Sequence, residues 1–327
     1  MTVAVTGASG HVGGNLVRAL LAQGRRVRVL ARQDRRALAG LDVEIVEGDL
    51  FDETSLARLV NGAETVFHLA ARISIVGPEG GLVERTNVLG TRNVAAACLT
   101  AGVKRLVHAS SIHAFSTHPN GEVVDETRAL ALDRRHADYD RSKARGILEV
   151  LAEVERGLDA VIVHPSGIIG PNDFKVSRMG AVILDLCHRR LPALIDGGYN
   201  WVDVRDVVAG MLAAEQKGRR GERYLLTGRW AHIAELAALV TMFTSRPTPR
   251  FKTPLWLALP ASYGSLLWGR ISRTTPKFTP GAVHAVAMHR YVSHMKATDE
   301  LGYLPRPLEE TVRDTLAWFA DAGMVEA

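Results

Sequence analysis

The chain has 327 residues, 47% of them hydrophobic, enough to bury a large core, so disorder is excluded as the default state. Net charge is +5, but the bases are mostly Arg, scattered among carboxylates rather than gathered in blocks, and no recognition module accompanies them, so no nucleic-acid partner is expected. Cys98 and Cys187 are isolated and lack the spacing of a disulfide framework or zinc site, which predicts buried thiols and no metal.

Strand-like apolar runs at 3–6, 27–31, 43–47, 65–70, 105–110 and 160–164 alternate with longer amphipathic stretches. That alternation predicts right-handed crossovers and an α/β fold with a doubly wound parallel sheet. The first strand begins at once, with no basic-then-apolar leader before it, which points to the cytoplasm. Thr6-Gly7-Ala8-Ser9-Gly10-His11-Val12-Gly13 follows and opens a helix over 15–22. Gly7 permits a tight turn, Gly10 lets backbone approach a pyrophosphate, and Gly13 lets helix pack closely on strand, with the helix N-terminus facing the phosphates. Glycines in a random loop are the plain alternative, against which the strand–turn–helix context speaks.

The second strand ends Val29-Leu30-Ala31, where an acid would accept from the 2′-hydroxyl of NAD. Instead Arg32 follows, with Arg35 and Arg36 near, a natural clamp for a 2′-phosphate. NADP is therefore expected over NAD. Asp34 is the residue that speaks for NAD.

Further along, Tyr139 and Lys143 stand four apart and share one face of a helix. An ammonium near a phenol favours the phenolate and brings a group of reference pKa about 10 towards acid/base work at neutral pH. Alone the pair is weak, since a solvated helix pair looks the same.

Beyond 165 the segments 171–200 and 227–290 read as loops and helices without strand alternation. Between them a short strand at 201–207 enters a helix that Asp206 is placed to cap. We expect a nucleotide-binding domain over 1–165, with 201–226 returning to it, a discontinuous substrate-binding lid from 166–200 and 227–300, and a C-terminal helix in 301–327 packing on the body. The run 254–269, with Leu255, Trp256, Leu257, Leu259, Tyr263, Leu266, Leu267 and Trp268, is short for a membrane span. It reads as a buried or pocket-lining helix pair, with membrane-surface contact the lesser alternative, and no integral membrane segment is expected.

The G-x-x-G-x-x-G spacing together with Tyr-x-x-x-Lys resembles the extended branch of the short-chain dehydrogenase/reductases. Gly48-Asp49-Leu50, His68-Leu69-Ala70-Ala71, Asn87-Val88-Leu89-Gly90-Thr91, His108-Ala109-Ser110-Ser111 and Pro165-Ser166-Gly167 follow in the family's order, and the match covers nearly the whole chain. The resemblance implies a Rossmann sheet, Tyr139 as general acid or base, Lys143 on the nicotinamide ribose while lowering the Tyr pKa, and Ser111 on the substrate oxygen. It implies cofactor contacts from Gly7, Ser9, Gly10, His11, Val12, Gly13, Arg32, Asp49, Leu50, Ala70, Ala71 and Pro165. Asn87 looks structural, tying backbone together beneath the site. His113, Ser166, Phe174 and Met179 are candidate substrate contacts.

Hydride transfer to or from a carbonyl or secondary alcohol of a hydrophobic small molecule is the expected reaction, as in dihydroflavonol-reductase-like and hydroxysteroid-dehydrogenase-like members. A nucleotide-sugar epimerase or dehydratase using tightly bound NAD is the alternative, and a non-catalytic dinucleotide-binding regulator the second. Resemblance also suggests a homodimer through helices near 87–101 and 140–156, using Val88, Val94, Leu99, Ile147, Leu148 and Leu151.

Overall fold

Val3, Ala4, Val5 and Thr6 are all fully buried, because β1 (Thr2–Thr6) runs between two parallel neighbours and never meets an edge. The computed structural model describes residues 1–119, 121–249, 251–272, 278–287 and 290–325. Its main sheet has seven strands in the order β10-β6-β5-β4-β1-β2-β3. These are β1, β2 (Arg26–Ala31), β3 (Glu44–Glu47), β4 (Thr65–His68), β5 (Arg105–Ala109), β6 (Ala160–Pro165) and β10 (Arg223–Leu226), every pairing parallel. The Rossmann expectation holds, with β10 the strand that the sequence pattern did not reveal.

Side chains alternate across the sheet with the two-residue strand period. Val3 and Val5 face α1 (His11–Ala22) and α7 (Val204–Lys217), whose Leu16, Val207 and Met211 complete one core layer. Ala4 and Val66 face α2 (Glu53–Val60), α4 (Gly90–Thr100) and α5 (Asp138–Glu155), where Leu56, Val94 and Ile147 complete the other. Val94 and Ile147 are thus fully buried and Val88 nearly so. Of the residues assigned to a dimer contact they serve the core, while Leu148 is exposed.

The segments read as strand-free do contain short strands, contrary to expectation: β8 (Leu194–Ile195), β11 (Arg229–His232) and β12 (Lys252–Thr253); β7 (Gly167–Ile169) precedes them, and the strand expected at 201–207 is present as β9 (Gly198–Asp203), the chain turning helical from Val204. They are short and broken by Gly, Pro and Asp, so they never build a periodic run. β11, β9 and β7 form one small sheet, and β12 pairs with β8. With α6 (Arg178–Cys187), α8 (Ile233–Thr244), α10 (Pro280–Ala287) and α12 (Leu308–Asp321) they enclose a further core around Trp201, Leu236 and Phe319. The C-terminal helix expected within 301–327 is α12, and its Val312, Leu316 and Phe319 pack into this core. α3 (Leu82–Glu84), α9 (Leu255–Ser272) and α11 (Met295–Leu301) complete the helices.

Two readings need correcting. α9 is one helix running through Pro260, and Trp256, Leu257 and Tyr263 are 75%, 49% and 59% exposed, so this stretch is neither a pair nor buried. Among the described side chains of α9 only Ala258 and Ser262, one turn apart, are fully buried; those of Leu267 and Trp268 lie outside the described ones. At α7 the cap is Asp203, whose Oδ1 accepts from Arg205 N at 2.8 Å, and not Asp206. Asp206 sits in the first turn and takes Arg306 instead, with Arg306 N and Nε donating at 2.8 and 2.9 Å. Arg205 joins Asp203 to Asp314 of α12, so this network fastens the C-terminal helix to the body.

Candidate active site

At the end of β1, Gly7 has φ +74°, and a Cβ there would stand 2.6 Å from Ala70 N. A Cβ on Gly13 would stand 2.2 Å from Gly7 O, so only glycine lets α1 lie this close to the turn. α1 starts at His11 with Gly10 at its N-cap, no side-chain cap bond and no acid in its first turn. Orphan N–H groups at a helix start with nothing acidic beside them suit an anion. Ser9 and Val12 are partly buried in this turn, whereas His11 is drawn aside, its Nε2 lying 3.0 Å from Pro171 O. Asn15 Nδ2 donates to the same carbonyl at 3.1 Å, pinning the 171 loop over the glycine turn.

The C-terminal ends of β5 and β6 and the start of α5 bring Ser111, Tyr139 and Lys143 together. The Ser111 side chain stands near enough to the Tyr139 phenol to act on its proton, and Ser111 Oγ accepts from His113 N at 3.2 Å. Lys143 is 4% exposed and its Nζ donates to Ala109 O at 3.0 Å. Burial pushes the Tyr139 phenol up to about 12, the Ser111 side chain pulling the other way; Asp140 adds to the rise and Arg178 opposes it. Burial pushes Lys143 down to about 8. The predicted lowering of the phenol by Lys143 is therefore not what these residues do by themselves: desolvation outweighs it.

Beneath the triad lies a row of histidines that had no assigned role. His68 pairs with His108 in register across β4 and β5, their rings stacked 5.1 Å apart, and His164 stands on β6 next along. His68 is held by Thr6 Oγ1 at 2.6 Å and Thr91 Oγ1 at 3.1 Å, and His164 Nδ1 lies 3.2 Å from Ser111 O. Both ring nitrogens of His108 lack a hydrogen-bond partner among the described residues. Burial pushes His68 and His164 down to about 3 and His108 well below its ordinary value, so the floor of the site is uncharged. Its sign in the sequence was a His near the end of three successive strands.

Asn87 lies in a π-helical turn (Arg85–Leu89) that precedes α4. Its Oδ1 accepts from Arg72 N at 2.7 Å, and its Nδ2 donates to Arg72 O at 3.0 Å and Ser142 Oγ at 2.9 Å. It ties the loop after β4 to α5, beneath Tyr139. Asn87→Ala removes the partners of Arg72 N and Arg72 O, both part-buried, and one of the two bonds of Ser142 Oγ, which also donates to Tyr139 O, and should cost about 1–3 kcal/mol of unfolding free energy in urea titration; a loss below about 0.5 kcal/mol would show these bonds to be replaceable.

The other expected contacts are dispersed. Arg32 is exposed, just past Ala31, and its guanidinium has no ion pair among the described residues. Asp34 is engaged by Arg36 at 3.0 Å and Lys175 at 3.3 Å, which hold its carboxyl well below the usual range, and Arg35 pairs with Glu47. Asp49 is exposed, its Oδ1 accepting from Phe51 N, while Leu50 is buried against Gly90. Ala70 abuts Gly7 and Ala71 is exposed beside it; Pro165 is buried at the end of β6. His113 lies edge-on to Tyr139 with ring centres 5.8 Å apart and its Nδ1 3.2 Å from Asp140 Oδ1. Ser166 Oγ donates to Asn200 Oδ1 at 2.9 Å. Phe174 packs against Trp318 at 5.2 Å with Arg18 4.8 Å over its ring, and Met179 packs on the core around Trp201. Arg178 sends its guanidinium to Ile73 O at 3.1 Å and acts electrostatically on Tyr139.

A glycine turn into an uncapped helix, with Ser111 just past the end of β5 and Tyr139 and Lys143 on the first turns of α5, defines a dinucleotide-binding α/β enzyme. The model of the NAD dependent epimerase/dehydratase family matches residues 3–226. The chain belongs to that family, within the extended short-chain dehydrogenase/reductases, and is an enzyme whose relatives include oxidoreductases. It is 38% identical to sterol demethylase protein B of Methylococcus capsulatus, covering 99% of this chain and 100% of that one. It is 36% identical to a putative dihydroflavonol 4-reductase of Synechocystis, covering 98% and 95%. The crystal structure of gox2253 superimposes with a TM-score of 0.85 at 34% identity, covering 100% of this chain and 99% of that one.

Proposed function

We propose that the protein is an NADP(H)-dependent oxidoreductase acting between a carbonyl and a secondary alcohol of a hydrophobic small molecule. The observation that carries this reading is Tyr139, beside the Ser111 side chain and one helical turn from buried Lys143, over an uncharged histidine floor. The names of the two relatives, which speak of a sterol and a dihydroflavonol, support a hydrophobic ring system as substrate.

Gly7, Gly10 and Gly13, with Ser9, His11 and Val12, would hold the pyrophosphate at the uncapped start of α1. Asp49 and the edge of Leu50 would flank the adenine, and Ala70, Ala71, Pro165 and Lys143 the nicotinamide half. Once bound, the nicotinamide supplies or takes the hydride. A phenol held at about 12 keeps its proton at neutral pH, so Tyr139 is poised to give that proton to a substrate oxygen as negative charge develops. Ser111 Oγ orients the same oxygen and Lys143, still cationic at pH 7, stabilises the phenolate left behind. His113, Ser166 and Met179 are proposed to border the substrate, within a lid drawn from 166–200 and 227–300. A homodimer through the outer faces of α4 and α5, where Leu89 and Leu148 are exposed, completes the proposal. NADPH oxidation across a panel of carbonyl compounds tests the reading, and inactivity on all of them would count against it.

Cofactor preference rests on Arg32. Its exposed guanidinium suits a 2′-phosphate, while Asp34, the acid that would favour NAD, is taken up by Arg36 and Lys175. NADPH should bind more tightly than NADH, and Arg32→Ala should erase about ten- to a hundred-fold of that preference, the worth of one charge-assisted bond to phosphate. Equal dissociation constants for both reduced cofactors in the unmutated protein would overturn the assignment.

A further inference from the structure

Charge is not evenly mixed along this chain, as its overall composition suggested. Between Glu235 and Asp299 there is no Asp or Glu at all, while Arg246, Arg250, Lys252, Arg270, Arg273, Lys277, Arg290 and Lys296 fall there. Eight bases without an acid leave the rest of the chain net negative, at −3 against the overall +5. Within this segment the 17 residues from 253 to 269 carry no charge, and Lys252 and Arg270 bracket them.

α9 occupies that uncharged run. Ala258 and Ser262 face the protein, whereas Trp256, Leu257, Tyr263 and, just before the helix, Phe251 at 80% are exposed. The helix is held in place at its start: β12 pairs with β8, and Leu194 N donates to Phe251 O at 2.9 Å. α9 packs on α10, and Thr279 Oγ1, just before α10, donates to Ile75 O at 3.0 Å in the loop that leaves β4. Ile73 and Val76 of that loop are 53% and 43% exposed, adding apolar surface beside Ile75. Among the described residues no helix is long and apolar enough to cross a membrane.

We propose that α9 and its flanks dock the enzyme on an anionic phospholipid surface, with Phe251, Trp256, Leu257 and Tyr263 entering the headgroup layer and Lys252, exposed beside them, on lipid phosphates. Aromatic and aliphatic side chains in the middle with a base at the margin match the layered chemistry of a bilayer interface. A nucleic acid would need bases interleaved with the aromatic residues, and a two-fold pair of chains through this face would set like charges against each other. The inference does not depend on the proposed reaction.

Flotation of the full chain with vesicles of phosphatidylcholine, alone or mixed with phosphatidylglycerol, tests it. The protein should float with the mixed vesicles and much less with phosphatidylcholine alone, and added salt should weaken the association. The double variant Phe251→Ser, Trp256→Ser, confined to exposed side chains, should bind the mixed vesicles at least about tenfold more weakly while keeping its melting temperature and dinucleotide affinity. Failure to float with the mixed vesicles, equal flotation by the double variant, or a wild-type oligomer that the double variant dissociates would each overturn the proposal. So would preferential binding to a single-stranded oligonucleotide. Vesicle binding without turnover of any carbonyl compound sinks the proposed reaction alone, and turnover without vesicle binding sinks the docking surface alone.

Discussion

Turnover of a carbonyl substrate by Tyr139→Phe is expected to fall by about 10²–10⁴, the usual contribution of one positioned acid/base group, with cofactor affinity nearly unchanged. The phenyl ring preserves the packing and the edge-on contact with His113 but removes the oxygen on which Ser111 acts. Lys143→Ala should behave differently, weakening both cofactor binding and turnover, because one ammonium is asked to serve a ribose and a phenolate. Steady-state kinetics with separate measurement of NADPH binding distinguishes the two patterns. Wild-type turnover in Tyr139→Phe would remove Tyr139 from the mechanism.

A second large effect is expected in acid. His68 and His164 have their folded pKa pushed from 6.5 to about 3, and His108 is lowered too, all by burial. Between those values the unfolded chain binds protons that the folded one refuses. The histidines' contribution is therefore fully present above about pH 6.5 and is lost as pH falls towards about 3. Each neutral histidine makes the slope steeper by at most about 1.4 kcal/mol per pH unit, so three approach about 4 kcal/mol per unit against a total of about 5–15. Urea midpoints should be flat from pH 8 to about 7 and fall steeply from about pH 6 to 5. His108→Leu removes a ring with no hydrogen bonds to lose, and should flatten the slope by about one proton. An unchanged slope in that variant, or constant stability down to pH 5, would mean that these rings are protonated in the folded protein.

What the sequence disclosed followed physical periodicity. Six of the seven main-sheet strands were legible because buried parallel strands are unbroken apolar runs, and the glycine turn because its spacing has a steric cause visible in Gly7 and Gly13. β10 escaped notice, being four residues long after a Gly-Arg turn. Asp203 and Asp206, three apart at the start of the same helix, are both reasonable caps on local grounds; in the fold Asp203 caps α7 and Asp206, in its first turn, takes Arg306 from a hundred residues on. Likewise Asp34 could not be discounted as a ribose ligand from its neighbourhood alone, because one of the cations that engage it, Lys175, comes from another part of the fold. α9 misled because apolar composition was equated with burial, when the chain there exposes its aromatic residues. Tyr139, Lys143 and Ser111 were found by their spacing and resemblance, yet the desolvation that governs their protonation is a property of the assembled site.

The fastening of α12 through Arg205, Arg306 and Asp314 also bears on how the protein is made. Asp203 and Asp206 are buried, at 2% and 6% exposure, and Arg306 is synthesised long after them. In a nascent chain that has emerged only through α7, Asp203 already has Arg205 but Asp206 lacks its counter-ion, and a buried charge without its partner is strongly unfavourable. Synthesis is vectorial, so the nucleotide-binding sheet cannot settle fully until the last helix is free of the ribosome. Translation that stops before residue 306 should therefore yield a chain that remains open to proteases, and intactness of the C-terminal part becomes a condition for survival of a site built from the first half.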